Sequence, residues 1–302
     1  MLLLQYTLIF TTVLALVALG GMFSERSGVI NLGLEGIMVI GALAGSIISA
    51  FLSKSGIPPF LNVVISLLSS MVVGWIFSML LGVACITFKA DQTLVGTALN
   101  IMSTALAVVV ARMYTKTPSS EIAYVSSMYK ITITENFEIS WFLPIMLIVV
   151  AVGYVFLFKT KQGMRLMSCG EHPQAAGSVG INVYFQRYLG VSISGVLAGI
   201  GGFAYVVQSA GCWDFKYGVA GFGFLALAVM IFGQWKPIKI FLSALIFGFC
   251  QTVSVLYSGK WGIPQFVYKM LPYVVCMVVL VMTSRKSKAP KAEGIPYDKG
   301  QR

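Results

Sequence analysis

Residues 24–45 read SERSGVINLGLEGIMVIGALAG and lie between two long apolar runs. Glu25, Arg26 and Glu35 fall within this segment, although the flanking runs contain no charged side chain. Ionisable groups are costly at membrane depth, and for that reason they mark functional positions. The repeated glycines favour a helix that breaks, or one that packs very closely on its neighbours. We therefore predict a functional broken helix over this segment.

The composition is typical of a membrane protein. The chain has 302 residues, of which 58% are hydrophobic and 10% charged, and its mean hydropathy is +0.88. Soluble domains contain about 25% charged residues. We predict an all-α, polytopic membrane protein with roughly nine transmembrane helices (about eight to ten), because a span needs about 20 mostly apolar residues. The predicted spans are 2–23, 29–53, 60–88, 94–113, 141–158, 188–208, 218–234, 237–257 and 263–283.

The distribution of Lys and Arg sets the predicted orientation. With the C-terminus in the cytoplasm, most of the 21 basic residues fall in cytoplasmic segments, as the positive-inside rule requires. Met1–Phe23 lacks the basic start of a signal peptide, so we interpret it as a retained span. We predict a transmembrane domain over 1–284, with a long cytoplasmic loop at 159–187, and a mobile basic tail over 285–302. The net charge of +11 then anchors the chain at the membrane and indicates no nucleic-acid partner.

Missing motifs exclude several chemistries. No G-x-x-x-x-G-K-[ST] occurs, so the chain has no P-loop for ATP. The single histidine, His172, has no G-x-S-x-G partner for hydrolase chemistry and no second histidine to help form a zinc site. The five cysteines form no C-x-x-C pair, so we expect no disulfide and no metal site. The sequence therefore predicts a non-enzymatic chain without a cofactor of its own.

Residues 170–181, GEHPQAAGSVGI, predict a short helix in the cytoplasmic loop. Pro173 suits the first helical position, where its missing N–H costs nothing. Ala175 and Ala176 continue the helix, and Gly180 can end it in a left-handed conformation. Such a helix can dock into a groove of a cytoplasmic partner or simply connect two spans, and these residues alone favour the connector.

The same loop resembles the G-x-N-P-x-A-A-x-x-x-G-I coupling motif of ABC importer permeases of the branched-chain amino acid and simple sugar superfamily. His172 stands where that motif usually has Asn, which puts the contact at this position in question. The resemblance implies that the loop docks on an ATPase. The residues of this implied coupling helix are Gly170, Glu171, His172, Pro173, Ala175, Ala176, Gly180 and Ile181.

Four further segments resemble the nucleoside-type branch of that superfamily. Residues 23–36 (FSERSGVINLGLEG) resemble its signature. Residues 89–99 (KADQTLVGTAL) are similar to its K-A-N-E-x-x-x-G-x-A-L segment, with Asp and Gln in place of Asn and Glu. Residues 221–235 (GFGFLALAVMIFGQW) resemble its G-x-G-F-x-A-L-A-x-x-x-F-G-x-W run, and residues 294–298 (GIPYD) resemble its tail. Together the matches are specific for the family.

The resemblance implies the membrane subunit of an ABC importer in the bacterial inner, or plasma, membrane. Two permeases, often related but different chains, would pair in the bilayer and dock on a cytoplasmic ATPase that binds the ATP. An extracytoplasmic binding protein would deliver the substrate. Nucleosides are the first expectation, and riboflavin or a simple sugar is the alternative. A secondary transporter or channel is a remote alternative, because it needs an ion-coupling or selectivity site and only Glu35, with Asp214, offers charge for one.

Five residues are predicted to line the substrate pathway: Asn31, Glu35, Asn100, Phe222 and Phe224. Each has a structural alternative. The Glu35 side chain can line or brace a helix break, or it can pair with Arg26 or cap N–H groups freed by the glycines. The two asparagines can contact substrate or bond neighbouring backbone and helices. The two phenylalanines can stack on a flat ring or pack in the core, and aromatic side chains more often pack.

Two local patterns predict further structure. Gly41-x-x-x-Gly45 and Gly195-x-x-x-Gly199 predict close helix crossings, either within the chain or with a partner permease. Residues 130–139 (KITITENFEI) alternate between apolar and polar side chains and predict a short strand or hairpin on the outside.

Overall fold

The computed structural model describes residues 2–134, 137–209, 211–258, 264–283 and 289–300. The helices are α1 (Leu2–Arg26), α2 (Leu34–Lys54), α3 (Pro59–Gly82), α4 (Gln92–Thr115), α5 (Phe142–Lys159), α6 (Lys161–Glu171), α7 (Pro173–Ser178), α8 (Val183–Ser209), α9 (Phe222–Phe232), α10 (Pro237–Leu256) and α11 (Gln265–Thr283). A π-helical turn, Val83–Thr87, extends α3. The strands are β1 (Glu121–Ala123), β2 (Lys130–Thr134), β3 (Phe137–Ser140) and β4 (Cys212–Asp214).

The all-α, multi-pass class is confirmed. Within the described residues, seven helices are long and apolar enough to cross a membrane, and they match seven of the predicted spans. The predicted span 218–234 contains α9, which is only 11 residues long. At 1.5 Å per residue, α9 measures about 16 Å, roughly half of a hydrocarbon core of about 30 Å. The total of nine spans stays a prediction.

The centre of the bundle is formed by α1, α2 and α8. The packed part of α1 (residues 11–25) is completely enclosed, and α2 and α8 are buried over most of their length. By contrast, α3, α4 and α5 each present a wide apolar face to the surroundings. A helix that is apolar all round is either central or exposed to lipid, so both kinds fit a membrane bundle.

Glycines allow the central helices to approach one another closely. A Cβ added to Gly41 would lie 2.5 Å from the Cα of Gly199, and one added to Gly74 would lie 2.6 Å from the carbonyl oxygen of Gly195. Both predicted small-residue motifs therefore lie at helix crossings, and within this chain α8 is packed between α2 and α3. At such crossings the glycines have no side chain, so the backbones of the two helices contact each other directly.

The two ends of the bundle differ. One end, called the α7 end here, contains α6, α7 and residues 289–300. The opposite end, called the hairpin end, contains two small sheets. The predicted hairpin is confirmed, because β2 pairs antiparallel with β3. The second sheet pairs β1 with β4, and the indole N–H of Trp213 in β4 donates to the Gly218 carbonyl at 2.9 Å.

The expectation of a mobile tail is wrong over residues 289–300. Tyr297 and Ala292 are buried, and the Ala292 N–H donates to the Gly170 carbonyl at 2.8 Å. The tail is basic and contains prolines, a composition typical of solvent-exposed segments. Instead, Tyr297 and Ala292 pack against residues at the α7 end. The remainder of the predicted tail lies outside the described residues.

Replacing Gly199 by Val tests the close crossing of α2, α3 and α8. We expect the free energy of unfolding to fall by about 1–3 kcal/mol, because the added methyl groups force the helices apart. Thermal unfolding of the purified protein in detergent measures this change. Ala151→Val on the exposed face of α5 is the control and should leave the unfolding temperature unchanged. Equal stability of the two variants would contradict the packing described.

Candidate functional site

The break between α1 and α2 is built from seven residues in a non-helical path. Gly28 adopts φ +95°, which L side chains rarely adopt. The Ser27 hydroxyl donates to the Ser24 carbonyl at 2.6 Å, and the Ser24 hydroxyl donates to the Val29 carbonyl at 2.7 Å. These bonds replace the helical hydrogen bonds lost where α1 ends. The broken helix predicted for residues 24–45 is confirmed.

Side chains of α4 bond further backbone groups at the break. The Gln92 side-chain oxygen accepts the Ile30 N–H at 2.7 Å. The Asn100 amide bridges the segment, because it donates to the Leu32 carbonyl and accepts the Gly36 N–H, both at 2.8 Å. Irregular backbone at membrane depth persists only where protein or trapped water satisfies it. Asn100 therefore holds the first turn of α2 in place.

Glu35 joins the start of α2 to the start of α9. One carboxylate oxygen accepts the Gly221 N–H at 2.8 Å, and the other accepts the Gly223 N–H at 2.6 Å. A negative charge at a helix N-terminus is favoured by the helix dipole and satisfies N–H groups that lack helical partners. A Cβ on Gly223 would lie 2.5 Å from the Glu35 nitrogen, so only glycine permits this approach. Glu35 is thus the cap of a helix 186 residues away, and it does not pair with Arg26.

The far end of α9 is held by the end of α1. The Arg26 guanidinium donates to the Trp235 carbonyl at 3.1 and 3.3 Å, and the Trp235 indole donates to the Glu25 carboxylate at 2.6 Å. Trp235 has φ +52°, a costly conformation for a bulky residue. Such backbone strain persists only where surrounding contacts impose it. Glu25 and Arg26 supply those contacts.

These contacts show how far Glu35 lies from Arg26 along the axis of α9. Arg26 binds Trp235, just after α9, whereas Glu35 binds the N–H groups of Gly221, just before α9, and of Gly223, its second residue. The two ends of α9 are about 16 Å apart, given 11 residues at 1.5 Å each. If Arg26 lies at the edge of the hydrocarbon core, Glu35 lies about halfway through its thickness of about 30 Å. The N-termini of two helices, α2 and α9, then converge near the middle of the membrane.

The five predicted pathway residues fall into two groups. Asn31 is buried and donates to the Ser194 hydroxyl at 2.9 Å, and Phe222 is buried against Tyr205 with ring centroids 4.4 Å apart. Glu35 and Asn100 are half-buried, and Phe224 is 48% exposed. The first group contacts the interior, and the second borders a surface of the chain. Their role in a pathway stays a prediction.

The loop predicted to couple to an ATPase contains the expected short helix. Pro173 is its first residue, the Ala176 N–H donates to the His172 carbonyl, and Gly180 adopts φ +84°. Ala176 is buried, whereas Val179 is 75% exposed. The exposed residues of α7 and its two ends form one surface, called the α7 face here: His172, Gln174, Ala175, Ser178 and Val179.

The α7 face is anchored to the transmembrane bundle through α6. Glu171 lies 3.7 Å from the Arg26 guanidinium. A Cβ on Gly170 would lie 2.3 Å from the Arg26 carbonyl oxygen, so the end of α6 contacts the end of α1 directly. Since Arg26 also binds Trp235, one arginine links α6, the break and α9. Ile181 is half-buried beside α7.

The sequence alone assigns no role to several residues of the site. Trp235 falls in a segment that resembles the family, and an apolar run ending in Gly-Gln-Trp can indicate a helix end. Gln92 stands where the family pattern has Glu, and a polar side chain at the start of an apolar helix can indicate a contact with another segment. Tyr273 donates to the Ala220 carbonyl at 3.2 Å and covers the start of α9. Among the described residues, no group of three His, Cys, Asp or Glu side chains could hold a metal ion.

A half-length helix capped inside a bundle of membrane-length apolar helices, and a short exposed helix tied to the same break, define a multi-pass membrane protein. The chain belongs to the family described as branched-chain amino acid transport system / permease component, whose profile matches residues 3–281.

Named relatives resemble nearly the whole chain. Guanosine ABC transporter permease protein NupQ of Bacillus subtilis is 38% identical over 98% of this chain and 96% of its own length. Nucleoside ABC transporter permease protein NupC of Lactococcus lactis is 37% identical over 97% of this chain and 96% of its own length. Nucleoside ABC transporter permease protein NupB of the same Lactococcus strain is 25% identical over 93% and 80%.

Asn100→Ala tests whether α4 holds the break. The variant leaves the Leu32 carbonyl and the Gly36 N–H without their partner, so we expect a loss of about 1–3 kcal/mol in the free energy of unfolding. Thermal unfolding in detergent measures it. Thr97→Ala, at an exposed position of the same helix, is the control and should change stability by less than about 0.5 kcal/mol. A variant as stable as the control would mean that the break is held elsewhere.

Proposed function

We propose that this chain is the membrane permease subunit of an ATP-driven importer for nucleosides. The observation that carries the substrate class is the identity of 37–38% to two nucleoside permeases over 97–98% of the chain. Membership of the permease family and the multi-pass fold support the transport role. An extracytoplasmic binding protein delivers the substrate to the hairpin end, and the α7 end, with the C-terminus, faces the cytoplasm.

ATP is bound and hydrolysed on a separate ATPase chain that docks on the α7 face. The support is geometric. A short helix projects from the bundle with an exposed face, and its base contacts Arg26 at the break. A push on α7 therefore reaches the start of α2 and both ends of α9 through direct contacts. Nucleotide on the ATPase must favour one state of the permease by a few kcal/mol to drive transport.

A second, related permease is the proposed partner in the bilayer. This chain is 37% identical to NupC but 25% identical to NupB, and both are named as nucleoside permeases of one strain. A partner of the NupB kind accounts for two different permease chains in one importer. A row of exposed apolar side chains on α4, Leu94, Ile101, Val109 and Met113, offers a face for it.

Glu35 braces the transport path by capping α9. Both of its oxygens accept backbone N–H groups, so its charge is already used to join two helices. A carboxylate has about four acceptor positions, which leaves room for a substrate hydroxyl beside those bonds. Proton coupling is not needed, since ATP supplies the energy. The convergence of two helix N-termini near the membrane centre resembles the binding sites of transporters with broken helices.

Replacing Glu35 by Gln tests this role in transport. The Gln amide keeps the shape of the side chain but places an NH₂ donor opposite a backbone N–H, so one capping bond of α9 is lost. Losing one cap costs about 1–2 kcal/mol, which corresponds to a fall in uptake of about tenfold or more. Uptake of radiolabelled guanosine is measured in cells that contain the complete transporter, normalised to permease in the membrane. Ala151→Val, on the exposed face of α5 and away from both ends of the bundle, is the control and should transport normally.

Two results would contradict the proposal. Normal uptake by the Glu35→Gln variant would contradict the proposal that Glu35 braces the transport path. Absence of guanosine uptake by the wild-type transporter, with uptake of labelled riboflavin, ribose or leucine instead, would contradict the substrate class.

Val179→Glu tests the docking surface. A carboxylate on an exposed apolar position of the α7 face should reduce co-purification of the ATPase about tenfold, because a buried unpaired charge opposes association. The amount of ATPase retained with affinity-tagged permease is measured in detergent. Val125→Glu, an exposed valine at the hairpin end, serves as the control. Equal retention by both variants would place the ATPase elsewhere.

A further inference from the structure

Helix α7 is too small to hold its own conformation. It has six residues, whereas isolated helices shorter than about 12–15 residues are marginal in water. Within α7, only Ala176 is buried, so most of the helix lies at the surface. Something outside α7 must therefore fix its orientation. The described C-terminal segment, residues 289–300, does so.

A small second core contains α7 and this segment. Its buried members are Cys169, Ala176, Val183 and Tyr297, and it is separate from the main core of the bundle. The ring of Tyr297 packs edge-on against Tyr184, with centroids 5.4 Å apart. A Cβ on Gly177 would lie 2.4 Å from the Tyr297 hydroxyl oxygen, so Tyr297 lies directly over α7. At 7% exposure, Tyr297 supplies the largest side chain of this core.

Hydrogen bonds fix the segment at several points around α7. Before α7, the Ala292 N–H donates to the Gly170 carbonyl at 2.8 Å. Over α7, the Gln174 amide donates to the Asp298 carbonyl at 3.0 Å. Beyond α7, the Tyr184 hydroxyl of α8 donates to the Tyr297 carbonyl at 3.4 Å. The segment therefore crosses α7 and is bonded to the elements that precede and follow it.

The same segment also contacts the transmembrane part of the chain. Gly294 has φ +77°, and a Cβ there would lie 2.9 Å from Ile30 in the break. The Glu293 carboxyl lies beside that of Glu25, and burial raises the pKa of Glu293. Asp298 lies 3.3 Å from the ammonium of Lys89, in the connection between α3 and α4. Residues 289–300 thus contact α7 on one side and two membrane connections on the other.

We propose that residues 289–300 form a strap that positions α7 for coupling, with Tyr297 as the positioning residue. The proposal rests on the ATPase docking proposed above. The strap holds the α7 face at a set orientation and carries its displacement to Ile30 and Lys89, in parallel with the route through Arg26. Without the strap, ATP hydrolysis on a docked ATPase would move α7 without moving the bundle to the same extent.

The experiment combines a structural and a functional measurement on three variants of the full chain. Tyr297→Ala removes the side chain that covers α7, Tyr297→Phe keeps the ring, and Ile295→Ala changes a 55% exposed neighbour in the same segment. Hydrogen–deuterium exchange of residues 173–181 in the purified permease reports the order of α7. The number of guanosine molecules transported per ATP hydrolysed, in the reconstituted complex, reports coupling.

For Tyr297→Ala we expect exchange of the α7 amides to rise about tenfold or more, and the transport-to-hydrolysis ratio to fall by a similar factor. Tyr297→Phe and Ile295→Ala should stay within about twofold of the wild type for both quantities. Unchanged exchange in Tyr297→Ala would overturn the strap, as would faster exchange with an unchanged ratio. If Tyr297→Ala does not accumulate, Tyr297→Leu replaces it. We then expect the same directions of change in exchange and in the transport-to-hydrolysis ratio, with smaller factors.

The two measurements separate the strap from the proposed function. If the wild-type permease fails to bind an ATPase or to transport nucleosides, the proposed function fails, whereas the exchange measurement still decides whether residues 289–300 order α7. If the wild type transports nucleosides but the variants do not behave as expected, the strap proposal is rejected and the proposed function stands.

Discussion

The architecture depends on how the backbone groups freed by the break between α1 and α2 are satisfied. Lipid cannot satisfy them within a bilayer, so protein groups or enclosed water must do so. Asn100 and Gln92 bond the break itself. Glu35 uses its charge to cap α9, a helix that would otherwise begin with unsatisfied N–H groups. Each of these bonds joins segments far apart in the chain, so the break also organises the bundle around it.

Helix α9 links the membrane interior to the α7 end. Its start is held by Glu35, and the residues after it are held by Glu25 and Arg26. Glu35 at the N-terminal end of α9 and Arg26 at its C-terminal end suit the helix dipole, whereas Glu25 acts there by accepting the Trp235 indole N–H. Because Arg26 also contacts α6, direct contacts between helices connect the α7 end with both α9 and the break.

Much of this could be predicted from the sequence, because its signals are local. Charges and glycines between apolar runs located the break, and Pro173 and Gly180 marked the two ends of α7. Alternation over 130–139 indicated the hairpin. The candidate site was only partly accessible to such reasoning. Glu35 was recognised as a brace or cap, but its partner could not be chosen, since Gly221 and Gly223 are separated from it by more than 180 residues.

The sequence by itself determined the class of protein, the position of the break and the place of the short helix, because hydropathy, charge and backbone preference act over a few residues. Only the tertiary structure decided that α9 is a half-length helix between Glu35 and Arg26, that Trp235 takes a strained conformation, and that residues 289–300 pack over α7. These features arise from contacts between distant segments, whose energies depend on which surfaces meet once the whole bundle is assembled.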